Sequence, residues 1–338
     1  MSSVTVIMPV HNGEKYVSQA LRSIAAQGDS VSEVIVIDDA STDQTMTLVA
    51  EFEQSSLVQF RTIRTAGVGQ SAARNEGAQL ATGDYLAFLD QDDIWLQGHA
   101  ASLKAILDDN PSTSMVYSDV NTIDADGGLL IVRLNALAGN GHPKRSITEI
   151  LEGDIMALPS ATMVRRTDFL SIGGFDERLQ GYEDDDLYFR GFRAGWNPTF
   201  VTGALVHYRV HGSGSSMSPT FRASRLRFAA NISSTVPDNP RTRTYFIRDF
   251  LIPRLRQSFM MDYATALTIR DHDTARAIAS DLRALLVSST GRTSGQLNVR
   301  IRAGLWLLSH PGLAKIVLRS RPTILRRGGI PAELRFRA

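Results

Sequence analysis

Four clusters in the sequence combine residue types and spacings that could do chemistry. The first is Asp90-Gln91-Asp92-Asp93, directly after the apolar run Tyr85 to Leu89. Carboxylates spaced Asp-x-Asp at a strand end can point into one crevice, and such hard oxygen ligands suit Mg²⁺ or Mn²⁺ bridging a diphosphate. The competing reading is that Asp92 or Asp93 caps a helix begun by Ile94-Trp95. The second cluster is Asp38-Asp39-Ala40-Ser41-Thr42-Asp43, after Val36-Ile37. An acidic pair there can accept hydrogen bonds from a base N–H and ribose hydroxyls, although Ser41 or Asp43 could equally cap a helix. The third is Glu183-Asp184-Asp185-Asp186. Adjacent carboxylates repel, and crowding raises the pKa of at least one toward general-base use, unless they only begin a solvated helix. The fourth is Val206-His207-Tyr208-Arg209-Val210-His211. Strand alternation puts His207, Arg209 and His211 on one face, where an imidazole can complete a metal shell while Arg209 meets phosphate.

These clusters need elements to hold them. The first ninety residues alternate in kind: strand Val4 to Val10, helix Glu14 to Ala26, strand Glu33 to Ile37, helix Asp43 to Glu53, strand Leu57 to Ile63, helix Gln70 to Leu80 and strand Tyr85 to Leu89. Repeated β-α-β of this kind predicts a parallel sheet covered on both faces, with ligands at the carboxyl ends of the strands. His11-Asn12, Asp38-Asp39 and Asp90 to Asp93 all fall at such ends. Beyond residue 110 the pattern predicts strands at Ser114 to Tyr117, Gly128 to Arg133, Ala161 to Arg165, Thr199 to Val201 and Leu205 to Val210, with a helix from Asp184 to Ala194. After Ser218 helical stretches are expected at Phe221 to Ser233, Arg243 to Ile269, Asp273 to Leu286 and Leu297 to Leu308, beyond a Gly212-Ser213-Gly214-Ser215-Ser216 hinge.

Gly67-Val68-Gly69-Gln70-Ser71-Ala72 matches a dinucleotide-binding fingerprint. It follows the third strand rather than the first, which argues against a nicotinamide or flavin enzyme. Its glycines instead let the loop approach a ligand, with Arg74 placed to meet phosphate.

The 338 residues suffice for two domains, or one enlarged α/β domain with an appendage. With no cysteine, disulfides, thiolate metal sites and a cysteine nucleophile are excluded. The net charge of +1 hides an asymmetry: residues 1–219 carry 15 Lys and Arg against 28 Asp and Glu, residues 220–338 carry 21 against 7. The acidic part can hold a cation and the basic part can face an anionic surface. The start, Met1-Ser2-Ser3 running into Val4 to Val10, reads as a strand and not a signal peptide. No apolar stretch is long enough to span a membrane. In Gly295 to Leu325, Leu297, Ile301, Leu305 and Leu308 fall at helical spacing among basic residues. Such a helix can lie on an anionic membrane, or pack on the catalytic domain or a second subunit.

Taken in order, Pro9-Val10-His11-Asn12, Asp38 to Asp43, Ala73-Arg74-Asn75-Glu76-Gly77, Phe88 to Asp93, Gly173-Gly174-Phe175-Asp176, Tyr182 to Leu187 and Tyr208 to His211 resemble the motifs of the family 2 glycosyltransferases with the GT-A fold, over about residues 4–216. The resemblance implies an α/β fold, a Rossmann-like mixed sheet with helices on both faces, followed by a helical region. It implies inverting transfer of a sugar from a nucleoside-diphosphate donor to an acceptor hydroxyl, with a divalent cation, Mn²⁺ or Mg²⁺. Asp39 would bind the nucleobase; Pro9, His11, Asn12 and Asp38 would line the nucleoside pocket; Arg74 would support the nucleotide. Asp90 and Asp92 form the Asp-x-Asp motif, with Asp92 and His211 as metal ligands. The family's base matches Asp184, beside Glu183 and Asp185. The sequence departs from the family at His11, where Tyr is frequent, and in the extra carboxylates Asp185 and Asp186, which leave the base open among neighbours.

The resulting expectation is a catalytic domain over 1–216, with a nucleotide-binding half (1–110) and an acceptor half (111–216), and a basic helical region over 217–338 for membrane or oligomer contact. The expected function is transfer from a UDP- or dTDP-sugar to a saccharide or lipid-linked acceptor in cell-surface or cell-wall polysaccharide synthesis. The expected location is cytoplasmic, peripheral to the membrane, with homo-oligomerisation through the C-terminal helices and no nucleic acid partner. The alternative is a noncatalytic nucleotide-sugar or polyanion-binding protein using the basic tail. A sugar-nucleotide pyrophosphorylase is disfavoured, because Pro9-Val10-His11-Asn12-Gly13-Glu14 lacks a Gly-rich, basic triphosphate loop.

Overall fold

The computed structural model describes residues 2–56, 58–139, 141–211, 219–290 and 306. The chain divides into two compact units, one of residues 1–144 and 155–213, the other of 145–154 and 214–337. The expected Gly212 to Ser216 hinge and, apart from Trp306, the tail helix at Leu297 to Leu308 lie outside the described residues.

The first unit is built on β1 (Val4–Val10), β2 (Glu33–Asp39), β3 (Gln59–Thr65) and β4 (Tyr85–Phe88), which pair in parallel in the order β3-β2-β1-β4. Every residue of β1, β2 and β4 is buried, which is why these runs are continuously apolar rather than alternating. The connecting helices are α1 (Val17–Ala25), α2 (Thr45–Ser55) and α3 (Gln70–Leu80). α3 lies on β1 and β2, where Gly77 admits the approach: a Cβ there would come within 2.6 Å of Ile7 Cγ2.

Beyond β4 the sheet turns mixed, continuing β4-β8-β6-β9-β5. β8 (Thr162–Arg165) runs antiparallel to both β4 and β6 (Met115–Ile123). β9 (Pro198–Arg209) runs parallel to β6, and the short β5 (Ile94–Trp95) pairs antiparallel with it. β7 (Leu129–Ile131) flanks β6. β1 therefore sits between β2 and β4 at the reversal of strand order, where open α/β sheets leave a crevice at the carboxyl ends.

Several expectations are corrected here. Ile94-Trp95 is a strand and not a helix start, so neither Asp92 nor Asp93 is its cap; the helix, α4 (His99–Asp109), begins later. The two late strands are one, because register shifts at Ser118 to Val120 of β6 let β9 follow its partner past Thr202-Gly203. Short helices α5 (Leu134–Ala138) and α7 (Arg166–Ser171) were not foreseen. α8 (Glu183–Arg193) starts one residue before the expected helix.

The second unit comprises α6 (Ile147–Glu152), α9 (Pro219–Thr235), α10 (Ile252–Thr268) and α11 (His272–Thr290). α10 begins nine residues after the expected Arg243, preceded by one π-type turn, Ile247–Leu251. Pro253, at its first turn, lacks the N–H that would continue an α-helical ladder backwards. Its core holds Phe228, Ile232, Leu251, Leu255, Phe259 and Tyr263. Arg225 pairs with Asp262 at 2.8 Å beneath the Phe259 ring, and Arg254 with Asp154 at 3.0 Å. These arginines balance charge inside the unit rather than adding to a basic surface.

Candidate active site

At the end of β4 the chain turns through Asp90, whose carbonyl accepts from the Asp93 N–H and whose own N–H donates to the Ser160 hydroxyl at 3.1 Å. The Asp92 carboxylate meets His211 Nε2 at 2.7 Å, and the His211 ring packs against Tyr16 with centroids 5.2 Å apart. Asp93 is buried and accepts the Arg209 N–H at 2.9 Å. Burial, with Asp92 and Asp90 beside it, pushes its carboxyl well above the ordinary range. Burial raises the Tyr208 phenol, and the negative charges of Asp93, Asp92, Asp90 and Asp184 act in the same direction.

Arg209 does not reach into this space. Its guanidinium donates to the carbonyls of Asp92 (2.8 Å) and Asp124 (3.1 Å) and to Gln19 Oε1 (2.8 Å), over the Tyr16 ring. It is a brace for the site's backbone, which corrects the expectation that it meets phosphate. His207 is half-buried on β9, paired in register with Ile94 and Asn121.

Arg74 is brought into the site by α3. It is fully buried, with one amino group on Asp90 and the other on Glu183 Oε1 at 3.1 Å. The two carboxylates hold its guanidinium protonated despite burial. Glu183 is held further by Gln70 Nε2 (2.6 Å) and the Gly181 N–H (2.8 Å). Asp185 accepts the Ile155 N–H at 3.2 Å, and Asp186 pairs with Arg190 at 2.6 Å. Asp184 differs: it is partly exposed, whereas Glu183, Asp185 and Asp186 are buried. Desolvation and the neighbouring Asp185 and Glu183 raise its carboxyl well above the ordinary range. The start of α8 is shaped by Gly181 (φ 115°) and Tyr182 (φ 63°), which turn the chain abruptly before the acidic run.

The end of β2 supplies the other side of the crevice. Asp39 takes the Thr65 hydroxyl (2.5 Å) and the N–H groups of Val68 (2.6 Å) and Gly69 (2.7 Å). Burial opposes ionisation there, but these donors prevail and keep its carboxyl below the ordinary range. Gly69, at φ 88°, gives the loop the turn that aims both N–H groups. Asp38 points into the turn, accepting the Ser41 N–H at 2.9 Å, with Arg64 at 3.5 Å. His11 Nδ1 donates to the Asp39 carbonyl at 2.6 Å, which leaves Nε2 to accept from Asn12 Nδ2 at 3.2 Å. Asn12 Oδ1 accepts the Thr42 N–H at 2.8 Å. Pro9 is paired with Ile37 inside the sheet, two residues before the crevice.

Pro9, His11, Asn12, Asp38 and Asp39 therefore gather at the ends of β1 and β2, and Arg74, Asp90, Asp92, Glu183, Asp184, Asp185 and His211 at the end of β4 and the start of α8. Sequence reasoning gave no role to Tyr208, although it lies in a motif that was singled out. It missed Ser160 and Ile155 because neither stands in a pattern. Among the described residues no three His, Asp or Glu side chains converge as a metal cage. Asp92 with His211 still suits Mg²⁺ or Mn²⁺, which take one or two protein ligands and complete their shells with water and substrate phosphates.

The sequence model described as Glycosyl transferase family 2 matches residues 5–166. An uncharacterized glycosyltransferase of Nostoc is 36% identical over 256 residues, covering 74% of this chain and 76% of that protein. The poly(ribitol-phosphate) beta-N-acetylglucosaminyltransferase TarS of Staphylococcus aureus is 26% identical over 231 residues, 65% of this chain but only 38% of TarS. The crystal structure of TarS residues 1–349 with UDP superposes with a TM-score of 0.58 at 17% identity, covering 93% of this chain and 88% of that one. A mannosyltransferase of Pyrobaculum calidifontis, solved with GDP-Man and Mn²⁺, superposes with a TM-score of 0.54 at 17% identity, over 96% and 84% of the two chains. At that identity the structural likeness establishes the GT-A fold. With the Nostoc relative and the matched family model, it follows that the chain belongs to the family 2 glycosyltransferases.

Proposed function

We propose that the protein transfers a sugar from a nucleoside-diphosphate-sugar, a UDP- or dTDP-sugar, to a hydroxyl of a saccharide or lipid-linked acceptor, with inversion at the anomeric carbon. The observation that carries this reading is the setting of Asp184: of four successive carboxylates it is the one left partly exposed, it accepts the Asp185 N–H at 2.9 Å, and desolvation with Asp185 and Glu183 alongside raises its carboxyl toward a useful base. Asp184 accepts the proton of the acceptor hydroxyl as that oxygen attacks the anomeric carbon. The bond to the diphosphate breaks on the opposite face, and the pair of electrons leaves with the nucleoside diphosphate.

Asp39, His11, Asn12 and Asp38 surround the nucleoside. Because the loop N–H groups of Val68 and Gly69 already occupy both Asp39 oxygens, base recognition there requires those donors to be shared or released. Arg74 holds Asp90 and Glu183 in fixed relation, so the donor carboxylates and the base helix are positioned together. Asp92 and His211 would hold a divalent cation, which when bound neutralises charge on the diphosphate. A location on the cytoplasmic face of a membrane and a role in surface-glycan synthesis belong to the same reading; no described helix is long and apolar enough to cross a membrane. The membrane-binding or oligomer-forming helix expected in Gly295 to Leu325 lies, but for Trp306, outside the described residues.

Calorimetric titration with UDP, dTDP and GDP, with and without Mn²⁺, tests the reading. One nucleotide should bind in a Mn²⁺-dependent way, and Asp92→Asn should weaken that binding by about tenfold or more, since even the loss of an outer-shell partner of a metal ligand costs that much. A folded protein that binds none of them would overturn it.

A further inference from the structure

We infer that residues 156 to 159 form the wall of the donor-sugar subsite, that Met156 and Leu158 are its specificity-determining side chains, and that Asp185 is the positioning residue that anchors it. The inference rests on the functional reading above. The segment is tied at both ends to the two carboxylate groups of the site. At one end the Ile155 N–H donates to Asp185, next to the partly exposed Asp184. At the other, the Ser160 hydroxyl accepts the Asp90 N–H and the Ser160 carbonyl accepts Trp95 Nε1 at 2.7 Å. Only four residues separate these anchors, so they must cross from the base to the Asp-x-Asp turn. A sugar being transferred spans the same gap, with its anomeric carbon between diphosphate and base.

Within the crossing, Ala157 and Pro159 are buried while Met156 and Leu158 keep partial exposure. Met156 has φ 55°, a left-handed conformation that a non-glycine residue adopts at a cost. Asn135 Nδ2 reaches the Met156 carbonyl at 3.4 Å, and the Thr162 hydroxyl holds the Leu158 carbonyl at 2.9 Å. On this inference the Met156 and Leu158 side chains would pack on the sugar ring and keep water from replacing the acceptor hydroxyl.

The test uses the full chain and calorimetry with UDP, UDP-GlcNAc, GDP and GDP-Man in the presence of Mn²⁺, together with the ratio of transfer to hydrolysis. Met156→Gly suits the left-handed backbone, so folding should be kept or improved. It should leave the affinity for the nucleoside diphosphate within about twofold and weaken the sugar-bearing form about tenfold, the scale of a lost apolar contact. Hydrolysis should rise relative to transfer. Asp185→Ala, which removes the acceptor of the Ile155 N–H, should move the same two readouts in the same direction, lowering kcat more than it raises KM. Unchanged discrimination between the sugar-bearing and free nucleotide in Met156→Gly overturns the inference while leaving the glycosyltransferase reading intact. Failure of the wild-type chain to bind any nucleotide overturns both.

Discussion

Arg74 is the residue on which the site's organisation turns. A guanidinium buried to this degree is tolerated because two carboxylates, Asp90 and Glu183, balance it, and those carboxylates belong to the two motifs that must act together. The same pairing ties up the Glu183 carboxylate with Arg74 and Gln70, while Asp184 beside it makes neither contact and is the base in the proposed mechanism. Replacing Asp184 with Asn should lower kcat by about a hundredfold or more, the typical worth of a positioned general base. The dissociation constant for the nucleoside diphosphate should change little, since no donor contact is removed. Stopped turnover with intact nucleotide binding is the expected pair of results; near-normal turnover would transfer the role to another group. Much of this was legible as residue types and spacings: Asp39, Asp90, Asp92, Glu183, Asp184 and His211 all stand in patterns a sequence can display. What could not be read was the division of labour among adjacent carboxylates. That depends on donors distant in sequence, such as Ile155 for Asp185 and Gln70 for Glu183.

At the scale of elements, β1, β2 and β4 were legible because they are buried throughout and so read as apolar runs, whereas β3, exposed or part-buried along its length, lies two residues beyond the expected Leu57 to Ile63. α3 was legible to the residue. The short β5 was not, because two residues carry no periodicity, and a carboxylate cluster in front of them imitates a helix cap. β9 was split in two for a similar reason: Thr202-Gly203 resembles a turn, and only the register irregularity in β6 explains how one strand accommodates it. The placement of α3 on the sheet yields a test. An alanine at Gly77 would gain about 1 kcal/mol of helix propensity, yet its methyl group would meet Ile7 at 2.6 Å and Ile37 at 3.5 Å. Forcing volume into a packed contact costs about 1 to 3 kcal/mol, so Gly77→Ala should be net destabilising. Urea denaturation should show a lower midpoint with an unchanged slope. Because α3 also carries Arg74, the loss of nucleotide affinity should track the loss of stability. A more stable variant would mean the helix can shift outward without consequence.

For the whole molecule, the loss of stability in acid and the loss of catalysis should come from different groups, and the two can be separated. His99 is fully buried and stacked on Trp95 with centroids 4.3 Å apart. Burial lowers its pKa to about 3, with the Leu205 carbonyl opposing, whereas an unfolded chain holds histidine near about 6.5. Between those values the unfolded state binds the extra proton, so stability is full above about pH 6.5 and falls as pH drops, by up to about 1.4 kcal/mol per pH unit for one site. His142, lowered to about 4 by burial and Lys144, has the same sign. Asp93 and Asp184 have the opposite sign: their raised carboxyls favour the folded state as pH falls through their range. His99→Phe keeps an aromatic ring on Trp95 and removes the titration. Urea melts between pH 7 and pH 4 should show the variant losing less stability on acidification than wild type, by about one proton's slope. Its activity should still fall on the acid side, because in the proposed mechanism the fall in kcat/KM reports protonation of Asp184, which the substitution does not touch. If the stability slope is unchanged, His99 is already solvated or opened before it titrates. If the activity limb moves together with the stability limb, acid inactivation is unfolding rather than loss of the base.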